Sequence, residues 1–451
     1  MGGRGRRVSL LLSQSPAAVD LDRQRCGQHL AEIGYLIDRR RLQINSGVHS
    51  WVTHAAIEQR LSLHLAALQG WGWPVSERVA LAALQSRDDD TRCGAIFARA
   101  SLDHERTFVG HMLGALCQDN GDDSAGPSQQ AIDALALAPG DHVVSHLEQA
   151  LLHAPRRLQP FLARAIGARG QGGEATLLQL LAPSGTADQA TRQASARALA
   201  QLGCAAARPL LTLAARQSEF DQVEPYLFAL ALLGDQEVLQ LVRRCVLADK
   251  PRHNWNLFLL LGIVGSPEDD QVLKRAWREG AATEAAALPL AQAMGALGTG
   301  GLVPVLIDAL AHQQGSVAYA AAASLRRITA APICQAAGEE ERSNDSAAWQ
   351  SWWKENGNRF APTVRYRLGV PLREEPRRCV DELAAHTTTN PERQLAAWEL
   401  QMRSSVVALP LCVDWPVARQ RREIIAWQTA LSSNRSRPAG RSQAPRGNVE
   451  L

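Results

Sequence analysis

The chain has 451 residues, 46% hydrophobic and 21% charged, with a formal net charge of +3, the balance of an ordinary folded protein. No apolar run approaches the roughly 18 residues needed for a membrane span, the longest being LFLLLGIVG at Leu257–Gly265. Arg4, Arg6 and Arg7 put +3 at the front, and Arg435, Arg437, Arg441 and Arg446 less Glu450 put +3 at the back, so the body between carries −3. Such placement argues against nucleic acid as the main ligand, because a nucleic-acid-binding groove carries its own positive charge.

Residues 1–19 are polar and basic and are expected to be disordered. Their GRGRRVSLLL stretch has too short an apolar part for a signal peptide and no small-residue cleavage site follows, which points to the cytoplasm. From Asp20 to about Asn45 the spacing predicts a helix with Leu30, Ile33, Ile37 and Leu42 near one face. A second helix carries Ile57, Leu61, Leu65 and Leu68 and ends at Gly70; a third and fourth follow at Val75–Gln85 and Asp89–Ala100. Asp119–Gln130 (DNGDDSAGPSQQ) reads as an acidic loop or linker. These segments form a helical region over 20–125.

Between 126 and 330 a short phrase recurs. It ends at Gly170 (AIGARG), Gly203 (ALAQLG), Gly234 (ALALLG), Gly265 (LLGIVG) and Gly298 (AMGALG), and SLRRIT ending at Thr329 is a copy without its glycine. The intervals are 33, 31, 31, 33 and 31 residues. Each phrase closes an Ala/Leu-rich helix with a glycine suited to a left-handed C-terminal residue. Ser266, Pro267, Glu268 and Asp269 then supply a cap, a first-turn proline and first-turn acids for the next helix. Glu237–Ala248 follows Gly234 with Val238, Leu241, Val242 and Cys245 on one stripe. One period thus holds two antiparallel helices. Pro225 and Pro289 both lie nine residues before a repeat glycine and suggest a shared bend or helix start. A fixed period in this range marks a solenoid, because one repeat cannot bury its apolar face alone.

Beyond Thr329 comes a polar loop, then AWQSWWKENGNRF, then APTVRYRLGVPLREEP, which is expected to be extended. Three helices at Arg377–His386, Pro391–Arg403 and Pro416–Leu431 complete a cap over 331–431, and 432–451 reads as a disordered basic tail. The eight cysteines at 26, 93, 117, 204, 245, 334, 379 and 412 stand singly and read as buried thiols. The predicted fold is all-α: a HEAT/armadillo-like, right-handed α-solenoid with a helical N-terminal part and a Trp-rich C-terminal cap.

QHLAEIGYLIDRRR and IEQRLSLHLAALQGWG at the front, the repeats, and SLRRITAAP with WQSWWKENGNRFAPTVRYRLGVPL behind together resemble a family of proteobacterial HEAT-repeat proteins often encoded beside type VI secretion genes. The repeats themselves are similar to the E/Z-type HEAT repeats of phycobilisome lyases. The resemblance covers roughly residues 20–430 and implies a fold and a genomic neighbourhood, with no catalytic residues to carry over.

No pattern of reactive residues points to catalysis or a bound cofactor. His142, His146 and His153 share a helical stripe opposite Val144, Leu147 and Leu151, so they are expected to face solvent rather than hold a metal. HEAT-repeat metal hydroxylases use several His-Glu pairs, whereas only His104-Glu105 is present. Asp221, Glu224, Tyr226, His253 and Trp255 fall early in glycine-ending helices, which line the concave face in HEAT arrays, and are candidates for a protein-binding surface or a lyase-like groove. Trp349, Trp352 and Trp353, with Phe360, are either an interface anchor or the packing of an insertion onto the array. Arg243-Arg244, Arg326-Arg327 and Arg421-Arg422 read as solvated helix faces. The expected function is a non-catalytic protein-binding scaffold or adaptor; a tetrapyrrole-type lyase and a nucleic-acid-binding solenoid are the alternatives.

Overall fold

Helix follows helix because caps and corners recur along the chain. In the computed structural model, the described residues are 16–45, 49–71, 73–103, 107–117, 128–183, 185, 187–235, 237–248, 254–334, 344–372, 375–404 and 409–435. The expected linker at 119–130 lies outside them up to residue 127, and so do His104-Glu105 and His253. Of the terminal segments expected to be disordered, 16–19 and 432–435 are helical and the remainder lies outside the described residues.

The elements divide into two compact units: Met1–Leu233 with His386–Glu392 and Cys412–Ala418, and Gly234–Ala385 with Arg393–Leu411 and Arg419–Leu451. The first holds α1 (Pro16–Asn45), α2 (His54–Gly70), α3 (Trp73–Ala83), α4 (Asp89–Leu102), α5 (Thr107–Cys117), α6 (Gln129–Leu137) and α7 (His142–His153). It continues with α8 (Gln159–Arg169), α9 (Glu174–Leu181), α10 (Gln189–Gln201), α11 (Arg208–Gln217) and α12 (Glu224–Leu232). The second holds α13 (Val238–Leu247), α14 (Trp255–Val264), α15 (Asp270–Gly280), α16 (Glu284–Leu297), α17 (Val303–Ala309), α18 (Gly315–Thr329) and α19 (Ser346–Asn356). It also holds the two-residue strands β1 (Tyr366–Arg367) and β2 (Val370–Pro371), then α20 (Glu375–Ala384) and most of α21 (Asn390–Arg403) and α22 (Val417–Arg435). Among the described residues the protein is all-α apart from this hairpin, and no helix is long and apolar enough to cross a membrane.

In the first unit α6 and the glycine-ending helices after it pack in series, α6 on α8, α8 on α10 and α10 on α12; in the second, α14 packs on α16 and α16 on α18, the copy without a glycine. The intervening helices pack on the glycine-ending helix that follows them: α7 on α8, α9 on α10, α11 on α12, α13 on α14, α15 on α16 and α17 on α18. The corner glycines therefore join one hairpin to the next.

Gly170, Gly203, Gly234 and Gly298 have φ of 67°, 70°, 72° and 71°, as the corner reading requires. Gly265 departs from it, with φ −68° and ψ 172°. Crowding keeps it a glycine: a Cβ there would lie 2.3 Å from the Leu261 carbonyl oxygen and 2.8 Å from Asp269 Oδ2 of the following capping box. In the copy without a glycine, Ala330 takes the left-handed conformation (φ 52°), one residue after Thr329. The two phased prolines do different work: Pro225 opens α12, whereas Pro289 sits inside α16.

A second glycine, three residues before the corner, sets the stacking distance. A Cβ on Gly167 would lie 2.7 Å from Ala198 Cα, one on Gly262 2.3 Å from the Ala293 carbonyl oxygen, and one on Gly295 2.2 Å from Ser324 Oγ. Each contact lies 29 to 31 residues further on, one repeat away. Neighbouring backbones can approach this closely only without a side chain between them.

Buried and half-buried arginines, with one indole N–H, seal the helix C-termini, where carbonyls lack partners and the dipole is negative. In the first unit Arg169 donates to the carbonyls of Leu135, Ala138 and Gly140 at 2.8, 2.7 and 2.8 Å, Arg208 donates to that of Leu233, and Trp415 Nε1 donates to that of Ala168 at 3.0 Å. In the second, Arg403 donates to Ile263 and Gly265, and Arg365 to Leu297 and Ala296 at 2.7 and 3.1 Å. The stretch expected to be extended is the β1–β2 hairpin, turned through Leu368 and Gly369 with both φ positive. Backbone amides of Tyr366, Leu368 and Gly369 bind the carbonyls of Gly298, Arg327 and Ile328 at 2.7, 2.7 and 2.9 Å.

Several expectations are corrected by burial. Leu42 is 59% exposed; the inward stripe of α1 runs on through Arg40 and Ile44 instead. Arg40, 4% exposed, donates to Glu58 at 2.9 Å and to the carbonyls of Asp414 and Trp415. Arg327 is not solvated, being 3% exposed beside Glu399, and half-buried Arg243 is tied to Asp269 at 2.8 Å. His146 is buried and edge-stacked on half-buried His142, whose Nε2 lies 3.0 Å from the Ala100 carbonyl oxygen, so only His153 faces solvent. Cys26, Cys93 and Cys379 are buried, as expected, while Cys204, Cys245 and Cys412 are half-buried.

Candidate partner-binding surface

The candidate residues separate by burial. Trp349 is fully buried, which corrects its reading as a surface anchor; half-buried Trp352 and Trp353 pack with Phe360, at 6.0 and 5.5 Å between ring centroids, and Phe360 with Tyr366 at 4.9 Å. The cluster mounts α19 and the hairpin on the second unit. Tyr226 is also buried, so it is core rather than surface, and burial pushes its hydroxyl pKa up against the opposing effect of Arg192. Asp221 is exposed.

Half-buried Trp255 fits a binding surface better. It lines a cavity of about 370 Å³ in the second unit with Leu247, Phe258, Val272, Arg275 and Glu279. Gly280 makes room for its ring, since a Cβ there would lie 2.5 Å from the indole. A larger cavity of about 580 Å³ between α20 and α22 contains no candidate residue.

Glu224 belongs to a longer arrangement in the first unit. Arg41 of α1 lies 3.8 Å from Asp133 Oδ2 of α6, and Gln129 Nε2 donates to Asp133 Oδ1 at 3.0 Å. Gln129 Oε1 accepts from Arg164 Nη2 of α8, and Arg197 Nη2 of α10 donates to Glu224 Oε2 of α12 at 3.2 Å. Polar side chains thus come from four successively packed helices, α6 and the glycine-ending α8, α10 and α12. Arg164 and Arg197 occupy the same phase, each six residues before its corner glycine. Asp221, Glu224 and Tyr226 drew attention in the sequence; Asp133, Arg164 and Arg197 were missed, although the 33-residue interval between the arginines was there to be read.

Burial pushes the Glu224 carboxyl up in spite of Arg197. The Arg164 side chain is exposed, yet its guanidinium is made less basic by the partial desolvation of lying along the helices and then by Arg197 beside it, with Asp133 opposing. Burial raises Asp133 to about 6, with Asp414 adding and Gln129, Arg41 and Arg40 opposing. A carboxyl with a raised folded pKa costs stability as pH climbs from about 4 to about 6, because the unfolded chain gives up the proton first. Asp133→Asn removes that cost: urea unfolding should show equal stability at pH 4 and a variant about 1–2 kcal/mol more stable at pH 7.5. A variant less stable at pH 7.5 would show that the carboxylate is needed for its partners.

Among the described residues, no group of three or more His, Cys, Asp or Glu side chains is placed to hold a metal ion. Compared with protein-family models and with curated proteins, the chain matches none.

Proposed function

We propose that this chain is a non-catalytic protein-binding scaffold, built as a right-handed HEAT-type α-solenoid and acting in the cytoplasm. The observation that supports it is the polar row from Asp133 to Glu224, which takes one or two side chains from each of four stacked helices. The row is exposed at Arg164 and Arg197, half-buried at Gln129 and Asp133 and buried at Glu224, so it offers another chain two repeat-spaced cations on stacked helices without enclosing a substrate, as curved repeat surfaces do. The groove at Trp255 supplies an aromatic wall of the sort enriched at interface hot spots. From the resemblance to proteobacterial HEAT-repeat proteins, the partner belongs to a type VI secretion system or to cargo encoded nearby.

Coexpression with the products of neighbouring genes tests this. One of them should elute with the full chain as a stoichiometric complex by size-exclusion chromatography with light scattering. The reading fails if none does and the purified chain instead carries a visible absorbance band and turns over a bound chromophore.

A further inference from the structure

The polar row in the first unit has one interruption. Arg41, Asp133, Gln129 and Arg164 alternate in sign or bond to one another, and so do Arg197 and Glu224. Between Arg164 and Arg197 two cations stand on directly packed helices at equivalent positions of consecutive repeats. Both are exposed. Among the described residues, Arg164 donates only to the neutral Gln129 and Arg197 only to Glu224, so most of their ten guanidinium N–H donors face outward without a protein acceptor.

We propose that Arg164 and Arg197 form an anion subsite that takes a carboxylate side chain from an acidic segment of a protein partner. This rests on reading the chain as a protein-binding scaffold and names the chemistry of what it binds. A carboxylate there completes the alternation of charge along the row and relieves the repulsion between the two guanidiniums. Planar guanidinium groups suit it, since each presents paired donors to two oxygens. Asp133 and Glu224 bound the subsite with negative charge on either side. A carboxylate matches the two guanidiniums in charge and donor geometry, whereas a continuous phosphate backbone running along the row would be repelled by the acids at both of its ends.

The test is fluorescence anisotropy with a labelled hexaglutamate peptide on the full-length chain. The basic residues at both ends of the chain attract any polyanion, so wild type is compared with variants that keep those ends. Arg164→Glu and Arg197→Glu should each weaken hexaglutamate about tenfold, the effect of losing one charge-assisted contact. Glu224→Gln should tighten it about threefold, because Arg197 is released from its internal partner. A purely structural role for these residues predicts no tightening. Thermal melts of Arg164→Glu should match wild type, whereas Arg197→Glu leaves buried Glu224 beside a second carboxylate and should melt lower, so its binding is read below its own transition, where circular dichroism shows it folded. Unchanged hexaglutamate affinity in both arginine variants overturns the proposal, and so does a labelled hexathymidylate that binds wild type as tightly and loses the same factor. If a coexpressed partner still binds when both arginines are reversed, the subsite is wrong and the scaffold reading stands. If no partner is found while the hexaglutamate pattern holds, the reverse is true.

Discussion

Glu399→Ala is expected to cost about 3–5 kcal/mol in urea or thermal unfolding, the penalty for leaving buried cations without their counter-charge. Glu399 is 1% exposed and accepts from Arg365 at 2.7 Å, from Arg327 at 3.2 Å and from Arg367, with Arg403 3.8 Å away. Burial alone would push its carboxyl up, but Arg367, Arg365, Arg327 and Arg403 together hold it well below the usual carboxylate range. The sign follows: a depressed folded pKa gives stability that is present above the ordinary glutamate range and lost only as pH falls through the folded value. Glu399→Gln keeps the shape and removes the charge, so it should fall nearly as far. Glu382, which accepts from Arg367 at 2.6 Å, remains but cannot balance the other guanidiniums alone.

An independent readout lies beside the cluster. Cys379 is fully buried, and its thiol is pushed up to about 12, by burial first and then by Glu399. In the native protein it should resist alkylation, because the thiolate is the reactive form. In Glu399→Ala, mass spectrometry should find Cys379 labelled under conditions that leave the wild-type residue untouched. Wild-type stability together with a protected Cys379 would show that the arginines are held by other means.

The second large effect is expected from a single methyl group. Gly94→Ala should cost about 3 kcal/mol or more, at or above the upper end of ordinary overpacking. A Cβ on Gly94 of α4 would lie 1.8 Å from the Leu30 carbonyl oxygen of α1, and one on Gly34 of α1 would lie 1.8 Å from that of Asp90. Two backbones touch there, and no rotamer change removes the clash. Moving the helices apart opens the seam around Leu30, Ile33, Cys93 and Ile96, each at most 1% exposed. Gly27→Ala on the same helix α1 is the control: nothing lies within 4 Å of its added Cβ, so it should be neutral or gain up to about 1 kcal/mol from helix propensity. Equal effects at Gly27 and Gly94 would mean the crossing can relax.

The division between local and long-range information runs through particular residues. The stripe Ile57, Leu61, Leu65 and Leu68 is buried as its spacing required, and Asp88 and Asp188 cap α4 and α10 through bonds to Thr91 and Thr191. Periodicity and capping are settled within a few residues, so the all-helical class and the corner glycines were legible from the chain alone. The same local rules misplaced Leu42, because Arg40 could turn inward only if Glu58 and the carbonyls of 414–415 were waiting for it.

Of the candidate surface, Glu224 and Trp255 were legible as polar or aromatic residues early in repeat helices. That Trp349 and Tyr226 are core, and that Asp133, Arg164 and Arg197 continue the row from Glu224, came only from packing. The amino-acid sequence by itself determined where helices start, stop and turn, since those choices depend on neighbours three or four residues away. Tertiary structure alone decided which charges meet: Arg327 and Glu399 are 72 residues apart, and Arg40 reaches a carbonyl 374 residues on. Whether a charged side chain is solvated, seals a helix end or waits for a partner depends on what the folded chain brings to it, and no periodicity records that.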